Sequence, residues 1–324
     1  MVSPASELLA IRDYPATFQQ FRTQFAGDEA CRCYLEALRW PDGFVCPRCS
    51  ATVGWKTGAG LWLCSSCRKK SSVTAGTIFH RSHLPLSTWF AACWFVVSEK
   101  NGISAQSLSR VLGLGSYETA WAMLHKLRRA MVRPDRDRLD GVVEVDETYV
   151  GARESGVDGR RTNDKAIVVI AVEVADGGKG LGRTRLTIVP EATQAQLLDF
   201  VHRSIASGAV VRTDGWNVYN RLSKEGYRHD QVSIRASGDL AHVVLPGVHR
   251  VASLLKRWLQ GTLHYGVSQD YLGYYLDEFT FRFNRRNARS RGLLFRRLLE
   301  QAVVTDPVPV SEIVTSGLDR YIWG

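Results

Sequence analysis

The chain has 324 residues, with 42 Lys and Arg against 32 Asp and Glu and a formal net charge of +10. That length suits roughly two domains, and the positive excess points to a polyanionic partner, nucleic acid first. No stretch approaches ~18 consecutive apolar residues, which argues against a helical membrane span.

The opening M-V-S-P-A-S-E-L-L-A lacks the basic-then-apolar pattern of a secretory leader, so a cytoplasmic location is expected. Seven cysteines in such a chain are expected in metal sites or the core, not in disulfides. Over residues 1–40, Phe18, Phe21, Phe25, Cys31, Tyr34, Leu35 and Leu38 recur at helical spacing, with a break at Gly27–Asp28. Two short helices are predicted. Cys31 and Cys33 would point to different faces of a helix, which favours a core role over metal binding.

Cys46-Pro47-Arg48-Cys49 and Cys64-Ser65-Ser66-Cys67 are two C-x-x-C knuckles separated by fourteen residues. Each knuckle turns two thiolates toward one point, and two knuckles complete a tetrahedral site suited to Zn²⁺. Four protein ligands leave no open position, so this zinc is structural, and it supplies folding energy that so small a segment lacks. Arg48, Lys56, Arg68, Lys69 and Lys70 surround the knuckles; they can touch phosphate or form a solvated surface.

From Pro85 the spacing of Trp89, Phe90, Cys93, Trp94 and Val97 predicts a helix with Cys93 on its apolar stripe. A second helix is predicted from Ile103 to Leu112, then a Gly113-Leu114-Gly115 turn, then a third helix from Tyr117 to Val132 capped by Ser116. This pair resembles a helix-turn-helix. Lys126, Arg128 and Arg129 are its candidate DNA contacts, and its N-terminal Tyr117, Glu118 and Thr119 are placed to read bases. The basic end equally suits the helix dipole with no partner.

After a charged connector near 138–141, V-V-E-V-D-E-T-Y-V (142–150) predicts a buried strand carrying Asp146 to its end. A Gly- and Arg-rich loop over 151–165 follows, then an apolar strand (166–174), a turn (176–182) and an alternating strand (184–189). A helix over 192–205 and a short strand, 210–214, ending in Asp214 complete the pattern. The order strand–strand–strand–helix–strand, with acids on the first and fourth strands, is that of a ribonuclease-H-like fold. There the two carboxylates could share Mg²⁺ or Mn²⁺ for phosphodiester chemistry. Glu147 is left out, because strand neighbours point to opposite faces.

Long strings carry a family resemblance: L-R-W-P-D-G-F-V-C-P-R-C (38–49), S-Y-E-T-A-W-A-M-L-H-K-L-R-R-A-M (116–131), V-E-V-D-E-T-Y-V-G (143–151) and R-T-D-G-W-N-V-Y (212–219). H-R-V-A-S-L-L-K-R-W-L-Q-G-T (249–262) and Y-L-D-E-F-T-F-R-F-N-R-R (275–286) extend it toward the C-terminus. The chain resembles the ISXO-like insertion-sequence transposases of DDE type. The resemblance implies metal-dependent cleavage and transfer of double-stranded DNA at element ends and targets. It carries over Asp146 and Asp214 as metal-binding acids, and implies a homo-oligomer acting in a prokaryotic cytoplasm on nucleoid DNA.

One position departs from the family pattern. That pattern reads approximately H-x-x-x-S-N-L-K, which sets Leu254 where a third metal-binding Asn or acid is expected; no Asp or Glu lies between Asp239 and Asp270. Two readings follow: an active transposase, or a DNA-binding remnant impaired at Leu254. At ~100° per residue, His249, Ser253, Lys256 and Gln260 form a polar stripe that either faces the metals, with His249 or Ser253 contributing and Lys256 binding phosphate, or lies in solvent. Arg250 and Arg257 are further candidate DNA contacts, and the aromatic and basic alternation over 279–297 suits either a DNA backbone or a core edge.

The expected fold class is thus α/β. The expected organisation is N-terminal helices (1–40), a zinc ribbon (41–80), a helix-turn-helix-like segment (81–137), a ribonuclease-H-like core with a mixed sheet (138–304) and a tail (305–324).

Overall fold

The computed structural model describes residues 14–133, 135–151, 165–175, 180–232, 244–263 and 268–315. Most of the 151–165 loop and parts of the 176–182 turn and the C-terminal tail lie outside them. The chain forms two compact units. One contains the residues up to Arg133 together with Asn287–Ile313, and the other contains Pro134–Arg286.

In the first unit, helices α1 (Phe18–Gln24) and α2 (Asp28–Arg39) precede a three-stranded antiparallel sheet of β1 (Gly54–Lys56), β2 (Trp62–Cys64) and β3 (Lys70–Ser71). Helices α3 (Leu86–Ser98), α4 (Ala105–Leu112) and α5 (Tyr117–Ala130) follow. Side-chain oxygens of Thr17, Ser104 and Ser116 accept N–H groups in the first turns of α1, α4 and α5. Gly113 ends α4 with φ of 63°, a left-handed conformation that costs glycine little.

The core of this unit is aromatic. Phe21 stacks on Trp94 at 5.1 Å, and Phe25 meets Phe90 edge-on at 4.9 Å. Phe295, fully buried, touches Phe21, Phe25, Phe90 and Trp94. It belongs to a late helix, Arg291–Ala302. The sequence reading assigned those residues to the downstream core; in the structure their apolar stripe completes the first unit instead. Nor are residues 305–315 a bare tail, since Val308 and Ile313 are buried.

The second unit is built on a five-stranded mixed sheet in the order β6-β5-β4-β7-β8. Strands β4 (Val142–Val150), β5 (Ala166–Val174) and β6 (Leu181–Val189) form an antiparallel meander. After α6 (Gln194–Ser204), β7 (Val210–Asp214) returns parallel to β4, and β8 (Arg228–Val232) lies parallel outside it. The sequence reading foresaw all of these except β8, a polar edge strand with no clear alternation.

The period of two sorts this sheet into two faces. Val143, Val145, Val169, Ala171 and Val211 pack with Leu197 and Val201 of α6. On the other face Val168, Ile170 and Val172 pack with Val248, Val251, Leu255 and Leu259, which lie on α7 (Pro246–Leu263). Leu272, Leu276, Phe279 and Phe283 of α8 (Gln269–Asn284) join them there. Buried on both faces, β5 can be apolar along nearly its whole length. At ~1.5–3 kcal/mol per fully buried aliphatic side chain, this three-layer packing dominates the stability of the unit. The helix Arg291–Ala302 of the first unit is α9, and a short helix α10 (Val310–Thr315) ends the described chain.

Candidate functional site

The four knuckle cysteines converge. Cys46 Sγ lies 3.6 Å from Cys67 Sγ, and Cys49 Sγ 3.6 Å from Cys64 Sγ. All four ligand atoms fall within 4.8 Å of one another. The two knuckles close alike: the N–H of Ser50 donates to the Cys46 carbonyl, and that of Arg68 to the Cys64 carbonyl. Ser50 and Arg68 each take a left-handed φ, 59° and 57°.

Such turns leave backbone N–H groups aimed at sulfur. Chiefly through the N–H of Arg48, they bring the Cys46 thiol down to about 6 and favour the thiolate. Four convergent sulfurs with no open position suit a structural Zn²⁺. Cys31 and Cys93 are fully buried away from this set, as a core role requires, while Cys33 is half-buried.

The carboxylates arise from strand register. β4 and β7 pair in parallel through Val142↔Val210, Val143↔Val211 and Glu144↔Arg212. Asp146 and Asp214 each lie two residues beyond the last of these pairs, so both project from the sheet face that α7 covers. Asp146 is not at the end of its strand, as the sequence reading had it. β4 continues to Val150 beside β5, and it is the pairing with β7 that stops short. An acid can therefore sit in mid-strand yet face an opening between strands.

Asp146 Oδ1 accepts the Glu147 N–H at 2.9 Å, and Asp214 Oδ1 accepts the Trp216 N–H at 3.1 Å. Asp214 is buried, at 8% exposure. Glu147 projects to the opposite face, where it accepts a hydrogen bond from the Tyr219 hydroxyl. Burial first, then the charges of Glu147, Asp146 and Asp214, hold that hydroxyl well above its ordinary pKa, so it stays a donor.

A further side chain near Asp146 comes from α7. His249 Nε2 lies 3.6 Å from Asp146 Oδ2. Leu254, the position the sequence reading marked as a missing ligand, is partly buried against the apolar cluster under α7. Leu254 packs there together with Trp258, so the apolar side of α7 is broad. Of the polar stripe, His249 alone reaches the carboxylate, while Ser253, Lys256 and Gln260 are exposed. Although the residue as a whole is exposed, desolvation of its ammonium end, with repulsion from Lys165, lowers the Lys256 pKa.

Among the other basic candidates, Arg250 and Arg257 are exposed on α7. On α5 Arg129 is exposed and Lys126 half-buried, but Arg128 is 2% exposed and has no surface to offer DNA. Its place on the buried stripe, one turn from Leu124, follows from helical spacing. Sequence reasoning also passed over Glu144, a fully buried carboxylate two residues before Asp146 on the same face. Burial raises its pKa against the opposing pull of the Val248 and Gly247 N–H groups and of Arg212. The signal was present in V-E-V-D, since acids at i and i+2 of a strand share a face.

The chain thus joins a segment with four convergent cysteines to an α/β unit that carries acids on adjacent parallel strands. Comparison with known proteins makes the assignment specific. Residues 26–70 match the transposase zinc-ribbon domain, and residues 138–284 match the ISXO2-like transposase domain. Over these two segments the chain is similar to ISXO2-like transposases. It is also 27% identical over 281 residues to an uncharacterized protein in transposable element ISH50 of Halobacterium salinarum, covering 80% of this chain and 91% of that one. Among the described residues, no helix is long and apolar enough to cross a membrane.

Proposed function

We propose that this chain is an active DNA transposase with a ribonuclease-H-like core, in which Asp146, Asp214 and His249 hold the catalytic divalent metal. One observation carries the reading: two carboxylates from neighbouring parallel strands share a face with an imidazole that comes from a different element and lies 3.6 Å from one of them. Two acids and an imidazole are a donor set for Mn²⁺ or Mg²⁺. When bound, such an ion supplies Lewis-acid activation of a water or 3′-hydroxyl and charge stabilisation at the scissile phosphate.

The protein's own residues do the rest. Backbone N–H groups hold one oxygen of each Asp in place. Lys256, Arg250 and Arg257 on α7 contact the DNA phosphates as exposed cations. Lys126 and Arg129, with the N-terminus of α5, form the DNA-contacting side of a helix-turn-helix made by α4 and α5. The partner is double-stranded DNA at the element ends and the target. By analogy with end-pairing transposases, the protein acts as a homo-oligomer on nucleoid DNA in the cytoplasm.

The competing reading, an impaired DNA-binding remnant, drew its support from Leu254. The packing of Leu254 against the apolar cluster and the nearness of His249 to Asp146 support the active reading instead. The test is nicking of DNA carrying the element's own ends, with Mg²⁺ or Mn²⁺, beside Asp146→Ala. Metal-dependent cutting lost in the variant is the expected result; tight binding without cutting by the unmodified protein would restore the remnant reading.

A further inference from the structure

Helix α7 begins unlike most of its fellows. Helices α1, α4, α5, α6 and α8 each carry their own Ser or Thr cap at Thr17, Ser104, Ser116, Thr193 and Ser268. Immediately before α7 stand Val244 and Leu245, which have no side-chain oxygen to offer. The first turn of a helix presents several N–H groups without intrahelical partners, and Pro246 at its first position removes only one.

The missing cap comes from 104 residues away. Val248 N–H donates to Glu144 Oε2 at 2.9 Å, and the Gly247 N–H also bonds the same carboxyl. Glu144 is fully buried and its Oε1 has no hydrogen-bond partner, so the side chain is held in the interior by this one set of bonds and by the charge of Arg212. Space confirms how closely the helix end approaches the strand. A Cβ on Gly247 would lie 2.8 Å from Glu144 Oε2 and 3.1 Å from both Leu181 and Val174. A side chain here would have to displace Glu144, Leu181 or Val174, so glycine eases the close approach of α7 to the sheet.

The residue after this anchored pair is His249. We propose that Glu144 is a positioning residue: by capping the first turn of α7 from mid-strand, with Gly247 providing the clearance, it sets the imidazole of His249 against Asp146. The role of His249 as a ligand rests on the functional reading above; the anchoring of α7 by Glu144 does not.

The experiment uses the full chain as Glu144→Ala, Glu144→Gln and Gly247→Ala. It pairs amide hydrogen exchange over residues 244–255 with calorimetric Mn²⁺ binding, and takes protection in β5 as the control for folding. The proposal expects exchange in the first turn of α7 to speed up about tenfold in Glu144→Ala and Gly247→Ala. Mn²⁺ affinity should weaken about 10–100-fold in the same variants. Glu144→Gln, which keeps an acceptor oxygen of the same reach, should stay near the unmodified protein in both.

Unchanged exchange in Glu144→Ala, or a Gln variant as impaired as Ala, would overturn the anchoring. Faster exchange with unaltered Mn²⁺ affinity would overturn the positioning of His249. Should the unmodified protein bind no Mn²⁺ while the exchange pattern holds, the metal-site reading fails and the anchor stands.

Discussion

In the proposed site, the imidazole of His249 would decide which ion the acids hold. Mg²⁺ takes oxygen donors, whereas a nitrogen donor moves a site toward Mn²⁺ and later ions. The site is therefore expected to cut DNA faster with Mn²⁺ than with Mg²⁺. His249→Asp should narrow that ratio by raising the Mg²⁺-supported rate, and parallel time courses with the two metals measure it; an unaltered ratio would remove His249 from the donor set. Leu254→Asn should not raise activity. Placing an amide against the apolar cluster under α7 is expected to cost about 1–3 kcal/mol, read as a lower denaturation midpoint. At this scale the sequence was informative for residues whose chemistry is local. Asp146, Asp214 and the four cysteines could be picked out because strand patterning and C-x-x-C spacing report where side chains point. Which residue of α7 faces Asp146 depends on how the helix is docked, and that docking hangs on Glu144 and Gly247, about a hundred residues apart in the chain. No local pattern carries it, so the eye fell on Leu254.

Elements here are secured by small polar devices as much as by apolar stripes. The zinc ribbon has little core of its own, so its sheet depends on the sulfur cluster. Chelation of zinc, or Cys49→Ser, should release about one zinc per chain and unfold residues 46–71, seen as new protease sensitivity there. Persistence of the ribbon without metal would contradict this. In the same unit Asp28 caps α3 from outside: its carboxylate accepts the N–H groups of Leu86 and Ser87 at 3.2 and 3.0 Å, and the Ser87 hydroxyl at 2.6 Å. Burial alone would raise its pKa, but these hydrogen bonds outweigh it and hold the carboxyl below its ordinary value of 3.8. A depressed folded value means that this stabilisation is complete above the unfolded value and is lost as pH falls through the folded one. Asp28→Asn should thus cost about 0.5–2 kcal/mol at neutral pH, with the difference from the unmodified protein shrinking below about pH 4; melting curves across pH 3–7 measure it. The meander, α6 and β7 were legible because their periodicities are strong. β8 was not, because an edge strand of mostly polar residues lacks the alternation that betrays a buried one.

The whole chain is not laid out in simple succession. After the α/β unit it returns, through α9, to complete the aromatic core of the first unit, where Phe295 meets four rings. Sequence patterning gave α9 its apolar stripe but not its destination, since a stripe does not say which core it joins. Phe295→Ala is expected to cost about 3–5 kcal/mol. The loss should appear as early melting of the first unit while the packing around β5 remains protected from hydrogen exchange. A uniform loss across both units would contradict this division of the chain. The proposed activity stands or falls on Asp146, Asp214 and His249, carried by β4, β7 and α7, as donors to one metal. The most direct measurement is Mn²⁺-dependent nicking of element-end DNA by the intact protein beside Asp146→Ala, Asp214→Ala and His249→Ala. The account predicts cutting by the intact protein and a drop of about 100-fold or more in each variant with DNA binding retained. Full activity in His249→Ala, or no cutting by the intact protein on DNA that it binds, would contradict it.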